Sequence, residues 1–171
     1  MKTEFLVADA QIALRPIREG DDAFLAQVYA STRTDEMALV SWTDEQKAAF
    51  LSMQFNAQTA HYRAHYPTAE YYVIERAGTP AGRLTVERTP RQLVMMDLAL
   101  LPEYRNAGIG STLIEGLMDE AAGAGVPLVL RVEFFNPVIG LYTRLGFVKT
   151  RQVNDVYHEM VWTPEGRAVA G

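Results

Sequence analysis

Residues 105–111, Arg-Asn-Ala-Gly-Ile-Gly-Ser, have the composition of an anion-binding loop. They follow a predicted strand and lead directly into an amphipathic helix. Glycine lets the backbone approach a ligand closely, and the first amides of a helix have no internal acceptor and lie at the positive end of its dipole. Arg105 adds a charged donor. The segment therefore predicts a backbone cradle for a diphosphate.

Other interpretations of this loop make different demands on the sequence. A dinucleotide-binding turn needs a third glycine, but Gly110 is followed by Ser111, Thr112 and Leu113. A nucleotide phosphate loop needs Gly-Lys-Ser/Thr, which does not occur here. A glycine-softened helix start without a ligand stays open on the loop alone. The pattern that fits is Arg/Gln-x-x-Gly-x-Gly/Ala after a strand.

Composition excludes several classes of chemistry. The 171 residues include no cysteine, so disulfides, thiolate metal sites and a cysteine nucleophile are ruled out. Of the three histidines only His61 and His65 lie close together, and without a third ligand we expect a solvated helix face and no metal site. The net charge of -5 argues against sequence-independent binding of nucleic acid, which needs a basic surface.

The chain has the composition of a globular protein, with 49% hydrophobic and 22% charged residues. It has no linker or low-complexity tract, so we expect one domain over residues 1–171. Its first residues include Glu4 and Asp9, unlike a signal peptide. No stretch approaches the roughly 20 apolar residues of a membrane span. These features predict a cytoplasmic protein with no membrane partner.

The first half of the chain alternates between strand and helix patterns. Residues 11–15 predict a strand closed by Pro16, and the acidic turn at 19–22 supplies an Asp to cap a helix over about 23–30. A longer helix is expected from Thr43 or Asp44 to about Tyr66. Short Gly- and Pro-containing loops then join three predicted strands into an antiparallel meander, over residues 71–76, 82–88 and 92–101.

In the second half of the chain, predicted helices alternate with predicted strands. Ile109, Leu113, Leu117 and Ala121 recur every four residues and predict a helix with one apolar face, ended by glycines at 123 and 125. Residues 127–132 are nearly all apolar, which is typical of a strand covered on both faces and parallel to a neighbour. A short helix over about 137–144 and strands at 147–153 and 156–162 complete the order.

Two motifs together resemble the GNAT acetyltransferase superfamily. The first is the loop with its lead-in Pro102-Glu103-Tyr104-Arg105. The second covers residues 132–147, with Asn136, then Leu141-Tyr142, then Gly146-Phe147. The similarity is close over residues 98–147, and the order of elements fits from 11 to 162. The resemblance implies an α+β / α/β GNAT fold, with a mixed sheet of six to seven strands flanked by about four helices and splayed between the fourth and fifth strands.

The resemblance also assigns roles to individual residues. It implies that acetyl-CoA is the acyl donor and that the pantetheine arm runs along Leu98, Ala99 and Leu100, with a strand amide near Leu98 polarising the thioester. Tyr142 matches the tyrosine that protonates the leaving thiolate. Asn136 matches an asparagine that contacts the arm, although one residue fewer separates it from Tyr142, so Phe135 is an alternative. The implied diphosphate cradle is Arg105, Asn106, Ala107, Gly108, Ile109, Gly110 and Ser111.

The general base is less well defined by the motifs. Some relatives carry Glu at positions that are Met96 and Arg131 here. Asp97 is the first candidate, and Glu133, Glu87 or an ordered water are alternatives. An equally good interpretation of Asp97 is a structural carboxylate bonded to a neighbouring strand.

The sequence does not identify the acceptor of the acetyl group. Trp42, Phe55, Tyr62 and Tyr66 could line an acceptor pocket, but aromatic residues at this spacing are more often core. The expected function is N-acetyl transfer to a primary amine by direct attack, since no cysteine can hold a covalent intermediate. The alternatives are a non-catalytic acyl-CoA-binding regulatory module of the same fold and a nucleotide-binding regulatory domain. Relatives are often dimers, so monomer and homodimer both stay open.

Overall fold

The computed structural model describes residues 11–164, which form one seven-stranded mixed sheet and five α-helices. The strand order is β1-β2-β3-β4-β5-β7-β6. A 3-10 helix at Pro102–Tyr104 precedes the loop that begins α4. The strands are β1 Ile12–Pro16, β2 Ala69–Arg76, β3 Thr79–Arg88, β4 Leu93–Leu100, β5 Leu128–Glu133, β6 Val148–Val153 and β7 Tyr157–Trp162. The helices are α1 Asp22–Ser31, α2 Thr34–Ala38, α3 Asp44–His65, α4 Ile109–Ala124 and α5 Ile139–Leu145.

The sheet confirms the predicted meander and the predicted parallel strand. β2, β3 and β4 pair antiparallel in chain order, and β5 pairs parallel with β4. The parallel pairing is possible because α4 carries the chain back across the sheet between the two strands, as a crossover connection must. The mixed sheet and its helices agree with the fold that the resemblance implied.

β4 and β5 separate halfway along their length. They pair only from Leu93–Met95 to Leu128–Leu130. At this point β4 contains a bulge, because Thr85 and Val86 of β3 pair with Asp97 and Met95 and leave Met96 without a cross-strand partner. Beyond the bulge β4 stays with β3 and β5 stays with β7. The sheet is therefore open between the two strands, as predicted.

The two faces of the sheet are covered differently. The apolar stripe predicted for α4 is buried, with Ile109, Leu113, Leu117 and Ala121 at most 2% exposed, and it packs in the main core cluster. On the other face, Val28 of α1 packs against Ala99 and Leu101. Side chains alternate between the faces along a strand, so residues on β3 and β4 that do not face α4 point towards α1 and α3.

Three details differ from the sequence-based predictions. Gly123 does not end α4 but lies inside it, since the helix runs to Ala124 and only Gly125 forms its C-cap. α2 was not predicted, because its five residues are mostly polar and none is buried, so it carries no apolar period. The acidic turn before α1 places Asp21 at the capping position, but its side chain makes no capping bond. Its carboxylate instead accepts two hydrogen bonds from Arg15 at 2.9 Å and one from the amide of Arg18 at 2.8 Å. These hydrogen bonds, with those from Arg15 the larger cause, lower the pKa of Asp21 to about 2.

Candidate active site

The loop before α4 presents a run of backbone amides with no acceptor. Among residues 11–164, none of the amides of residues 106–111 donates a hydrogen bond to protein. Gly108 makes this geometry possible, because it lies at the N-cap of α4 in the left-handed region, with φ +83°. No side chain caps α4 and its first turn contains no acidic residue. The amide cradle (residues 105–111) is therefore open to an anion, and its charge is not already neutralised by the described part of the protein.

The Arg105 side chain holds the loop rather than extending over it. Its Nε donates to the carbonyl of Leu100 at 2.9 Å, and its Nη2 donates to the carbonyl and the hydroxyl of Ser31, each at 3.3 Å. The guanidinium therefore connects the cradle to the end of β4 and to α1. The predicted contact of this charge with a diphosphate stays a prediction.

The splayed part of β4 borders the cradle. Leu98, Ala99 and Leu100 pair with β3 on one side only, since β5 has already separated. Leu98 packs towards α4, where a Cβ added at Gly110 would lie 3.9 Å from its Cδ2. An unpaired strand edge next to a row of free amides is suited to an extended ligand that pairs as an added strand.

Asp97 lies directly after the bulge and is paired with a buried arginine. Arg83 Nε lies 2.5 Å from Asp97 Oδ2, and Arg83 is 7% exposed. Burial raises the pKa of Asp97 above its usual range, and the ion pair with Arg83 opposes that rise. Arg83 is itself held by Gln58, whose Oε1 accepts from Nη2 at 3.3 Å. The carboxylate is thus half-buried, with 21% of its side chain exposed, and it is held in one position.

Tyr142 lies on α5 and is 7% exposed, with its ring packed 5.8 Å from that of Phe147. Its hydroxyl has no hydrogen-bond partner within residues 11–164. Burial raises the pKa of Tyr142 to about 12, and the negative charge of Asp97 adds to the effect. The hydroxyl therefore stays protonated at neutral pH, as a proton donor must.

Asn136 and the alternative Phe135 lie in the turn between β5 and α5. The Asn136 Oδ1 accepts from the amide of Val138 at 3.0 Å, so the side chain stabilises the turn that begins α5. Phe135 is 69% exposed and stacks edge-on against Phe134 at 5.6 Å. A ligand contact by Asn136 or Phe135 stays a prediction.

A cavity of about 390 Å³ lies between α1, α3 and the sheet, and Asp97 is in its wall. Its lining includes Phe55 and Tyr62, two of the four aromatic residues considered as pocket residues. The other two do not line it: Trp42 packs against Phe50 at 5.1 Å and Tyr66 packs against Tyr62 at 6.2 Å. We call this space the acceptor cavity; besides Phe55, Tyr62 and Asp97 it is lined by Ile17, Asp22, Ala23, Leu25, Ala26, Ser52, Asn56, Gln58, Thr59, Arg63, Tyr71, Arg83 and Thr85.

The other candidate bases are placed less favourably. Glu133 lies at the end of β5, with its Oε1 3.9 Å from Arg33 Nη1. Glu87 lies near the far end of β3 and accepts from Thr68 Oγ1 at 2.9 Å. Neither lines the acceptor cavity. Of the three carboxylates considered, only Asp97 is at the bulge.

Sequence reasoning missed Arg83, Arg63 and Tyr71 as cavity residues. One signal was available for Arg83, because it interrupts a strand segment whose neighbours Gly82, Leu84 and Val86 are all buried. A charge in such a run marks a group that needs a buried partner. Arg63 and Tyr71 carry no such signal, because each lies in a locally ordinary helix or strand.

Within residues 11–164 no group of three or more His, Asp or Glu side chains is arranged to hold a metal ion. The His61 and His65 rings stack at 4.3 Å on the exposed surface of α3. In the same range no helix has both the length and the apolar character needed to cross a membrane.

Comparison with known proteins agrees with this arrangement. The model of the acetyltransferase (GNAT) family matches residues 22–147, about three quarters of the chain. The chain therefore belongs to the GNAT acetyltransferase family. No curated protein matches it in sequence.

Solved structures with the same fold are distant in sequence. One is a PaiA N-acetyltransferase from Thermoplasma acidophilum in complex with coenzyme A, with 17% identity and a TM-score of 0.66 over 89% of this chain and 98% of that one. Another is a spermidine N-acetyltransferase from Vibrio cholerae in complex with coenzyme A and spermine, with 18% identity and a TM-score of 0.64 over 94% of this chain and 99% of that one. An acetyltransferase from Thermus thermophilus has 20% identity and a TM-score of 0.62 over 90% of this chain and 97% of that one.

Proposed function

We propose that this chain is a single acetyltransferase domain that transfers an acetyl group from acetyl-CoA to a primary amine by direct attack in a ternary complex. The observation that carries the proposal is the opening of the sheet after Met95. It has free amides of residues 106–111 on one side and a cavity with a half-buried carboxylate, Asp97, on the other. The coenzyme A complexes of two distant structural relatives support the choice of donor.

The donor would bind through the amide cradle and the free edge of β4. Backbone donors at the start of α4 and the helix dipole favour the diphosphate. The pantetheine arm would pair with Leu98–Leu100 in the manner of an added strand, which carries the thioester towards the bulge. A backbone amide near Leu98 would polarise the thioester carbonyl, so that charge developing on its oxygen is stabilised.

The transfer itself needs a neutral amine and a protonated leaving group. The amine nitrogen attacks the thioester carbon and forms the C–N bond. Asp97, directly or through a water, takes the proton that the nitrogen loses, and the raised pKa of its half-buried carboxyl makes it a stronger base. The C–S bond then breaks, and Tyr142 gives its proton to the departing sulfur. The products are the acetylated amine and free coenzyme A.

An assay of thiol release tests the proposal. The chain is incubated with acetyl-CoA alone and with a panel of primary amines, and mass spectrometry identifies the acetylated product. We expect amine-dependent release of free thiol well above the rate with acetyl-CoA alone. Calorimetric binding of coenzyme A with no turnover of any amine would instead identify a non-catalytic binding module.

A further inference from the structure

The rim of the acceptor cavity carries two exposed charged groups that have no partner of opposite charge among the described residues. Four charged side chains line it: Asp22, Arg63, Arg83 and Asp97. The last two form an ion pair with each other. Asp22, in the first turn of α1, and Arg63, in the last turn of α3, make no hydrogen bond or ion pair within residues 11–164. Each charge suits its own helix dipole, but that does not explain why both border one cavity.

The Arg63 charge lies at the end of the cavity remote from Asp97, and Asp22 also lines the cavity. The Arg63 guanidinium lies over the Tyr71 ring, 5.4 Å from its centroid. Tyr71, Thr85 and Asp97 are successive cross-strand partners on β2, β3 and β4. Because adjacent strands lie about 4.8 Å apart, the backbone at Tyr71 is about 10 Å from that at Asp97.

The space between these two ends suits a short aliphatic chain. Phe55 and Tyr62 both line the cavity and offer apolar ring surface. An extended chain of one α-carbon and four methylene groups separates a carboxylate carbon from a terminal nitrogen by about 7.5 Å, from standard bond lengths. That length fits between side chains that project inwards from backbone positions about 10 Å apart.

We infer that the acceptor is a free diamino acid, meaning an α-amino acid whose side chain ends in a primary amine, such as lysine. Its carboxylate pairs with Arg63, its α-ammonium pairs with Asp22, and its terminal amine reaches Asp97. A polyamine would place a second ammonium beside the unpaired charge of Arg63. A simple amino carboxylate would leave Asp22 without a partner. The inference rests on the proposed acetyl transfer and adds the class of acceptor.

Three acceptors with the same terminal amine and aliphatic chain test the contributions of Arg63 and Asp22 one at a time. They are lysine, 1,5-diaminopentane, which lacks the carboxylate, and 6-aminohexanoate, which lacks the α-amine. We expect kcat/KM for lysine to exceed both others by about tenfold or more, since each missing group forfeits one charged contact. Mass spectrometry should place the acetyl group on the terminal nitrogen. Equal rates for the three acceptors, faster turnover of the diamine, or acetylation of the α-amine would overturn the inference.

Two variants assign the charges to their partners. Arg63→Gln should reduce the preference for lysine over 1,5-diaminopentane about tenfold, and Asp22→Asn should reduce the preference for lysine over 6-aminohexanoate by a similar factor. Arg91→Gln is a matched control on the exposed loop between β3 and β4, and it should leave both ratios unchanged. Thermal melts check that each variant is folded. Unchanged ratios in the folded variants Arg63→Gln and Asp22→Asn would also overturn the inference.

The design distinguishes failure of this inference from failure of the proposed function. Turnover of amines without a preference for the zwitterionic acceptor overturns only the assignment of the acceptor. Retained binding of coenzyme A with no turnover of any amine overturns both.

Discussion

Replacing Tyr142 by phenylalanine removes one hydroxyl and keeps the ring that packs against Phe147. The hydroxyl has no protein partner within residues 11–164, so its loss should change the free energy of unfolding by less than about 1 kcal/mol. If the hydroxyl protonates the thiolate, kcat should fall by at least about 100-fold, the lower end of the range for general acids, because a thiolate is a good leaving group. That factor corresponds to about 2.7 kcal/mol of activation free energy.

The pH dependence gives a second measure of the same group. Burial raises the pKa of Tyr142 to about 12, so the protonated form is favoured in the fold and persists above pH 10. Activity should therefore show no alkaline loss near pH 10, where an ordinary tyrosine gives up its proton. The decline should begin only as the pH approaches about 12.

Steady-state kinetics and a thermal melt on one preparation test both expectations. Tyr72→Phe is the matched control, because its hydroxyl donates to Glu70 at 2.9 Å and accepts from Arg88 at 2.8 Å, and its ring packs in the core with α4. It should lose about 1 kcal/mol of stability and keep its turnover. A kcat for Tyr142→Phe within about threefold of the parent, far short of the range for a general acid, would refute the assignment. The sulfur would then take its proton from water or from the departing ammonium.

Three other perturbations have defined outcomes. Gly110→Asp should abolish calorimetric binding of coenzyme A with little change in the melt, whereas Gly110→Ala should bind, because its Cβ meets nothing closer than 3.9 Å; equal binding would reject the cradle. Asp97→Asn should lower kcat/KM by about 100-fold or more and remove the acidic limb of the pH profile. In the parent this limb should lie above the usual range of an aspartate, because burial raises the pKa of Asp97. An unchanged limb in the variant would exclude Asp97 as the base. Asp21→Asn should lower the free energy of unfolding by about 2 kcal/mol at pH 7, since hydrogen bonds from Arg15 lower the pKa of Asp21 to about 2. This contribution is present above about pH 4 and is lost as the pH falls towards 2. Urea melts in which parent and variant differ by the same amount at pH 7 and near pH 2 would contradict this.

The sequence alone predicted the features that depend on residues close together along the chain. The apolar repeat of α4 follows from helix geometry, and the burial of its four residues confirms it. The continuous apolar run of β5 predicted a strand parallel to its neighbour, because a strand with no polar face must be covered on both sides, and β5 does pair parallel with β4. α2 was missed because its residues have no apolar period.

The composition of the site depended on contacts that no local pattern contains. Arg83 and Asp97 are 14 positions apart, and only the register of β3 against β4 and the bulge at Met96 bring them together. The packing of α1 and α3 on the sheet decided that Phe55 and Tyr62 line the cavity. The loop of free amides before α4 was therefore predictable from a sequence motif, because a short stretch of backbone defines it. The catalytic role of Tyr142 stays a prediction. The acceptor cavity and its charges were decided by the tertiary structure alone, because side chains from five separate elements meet there.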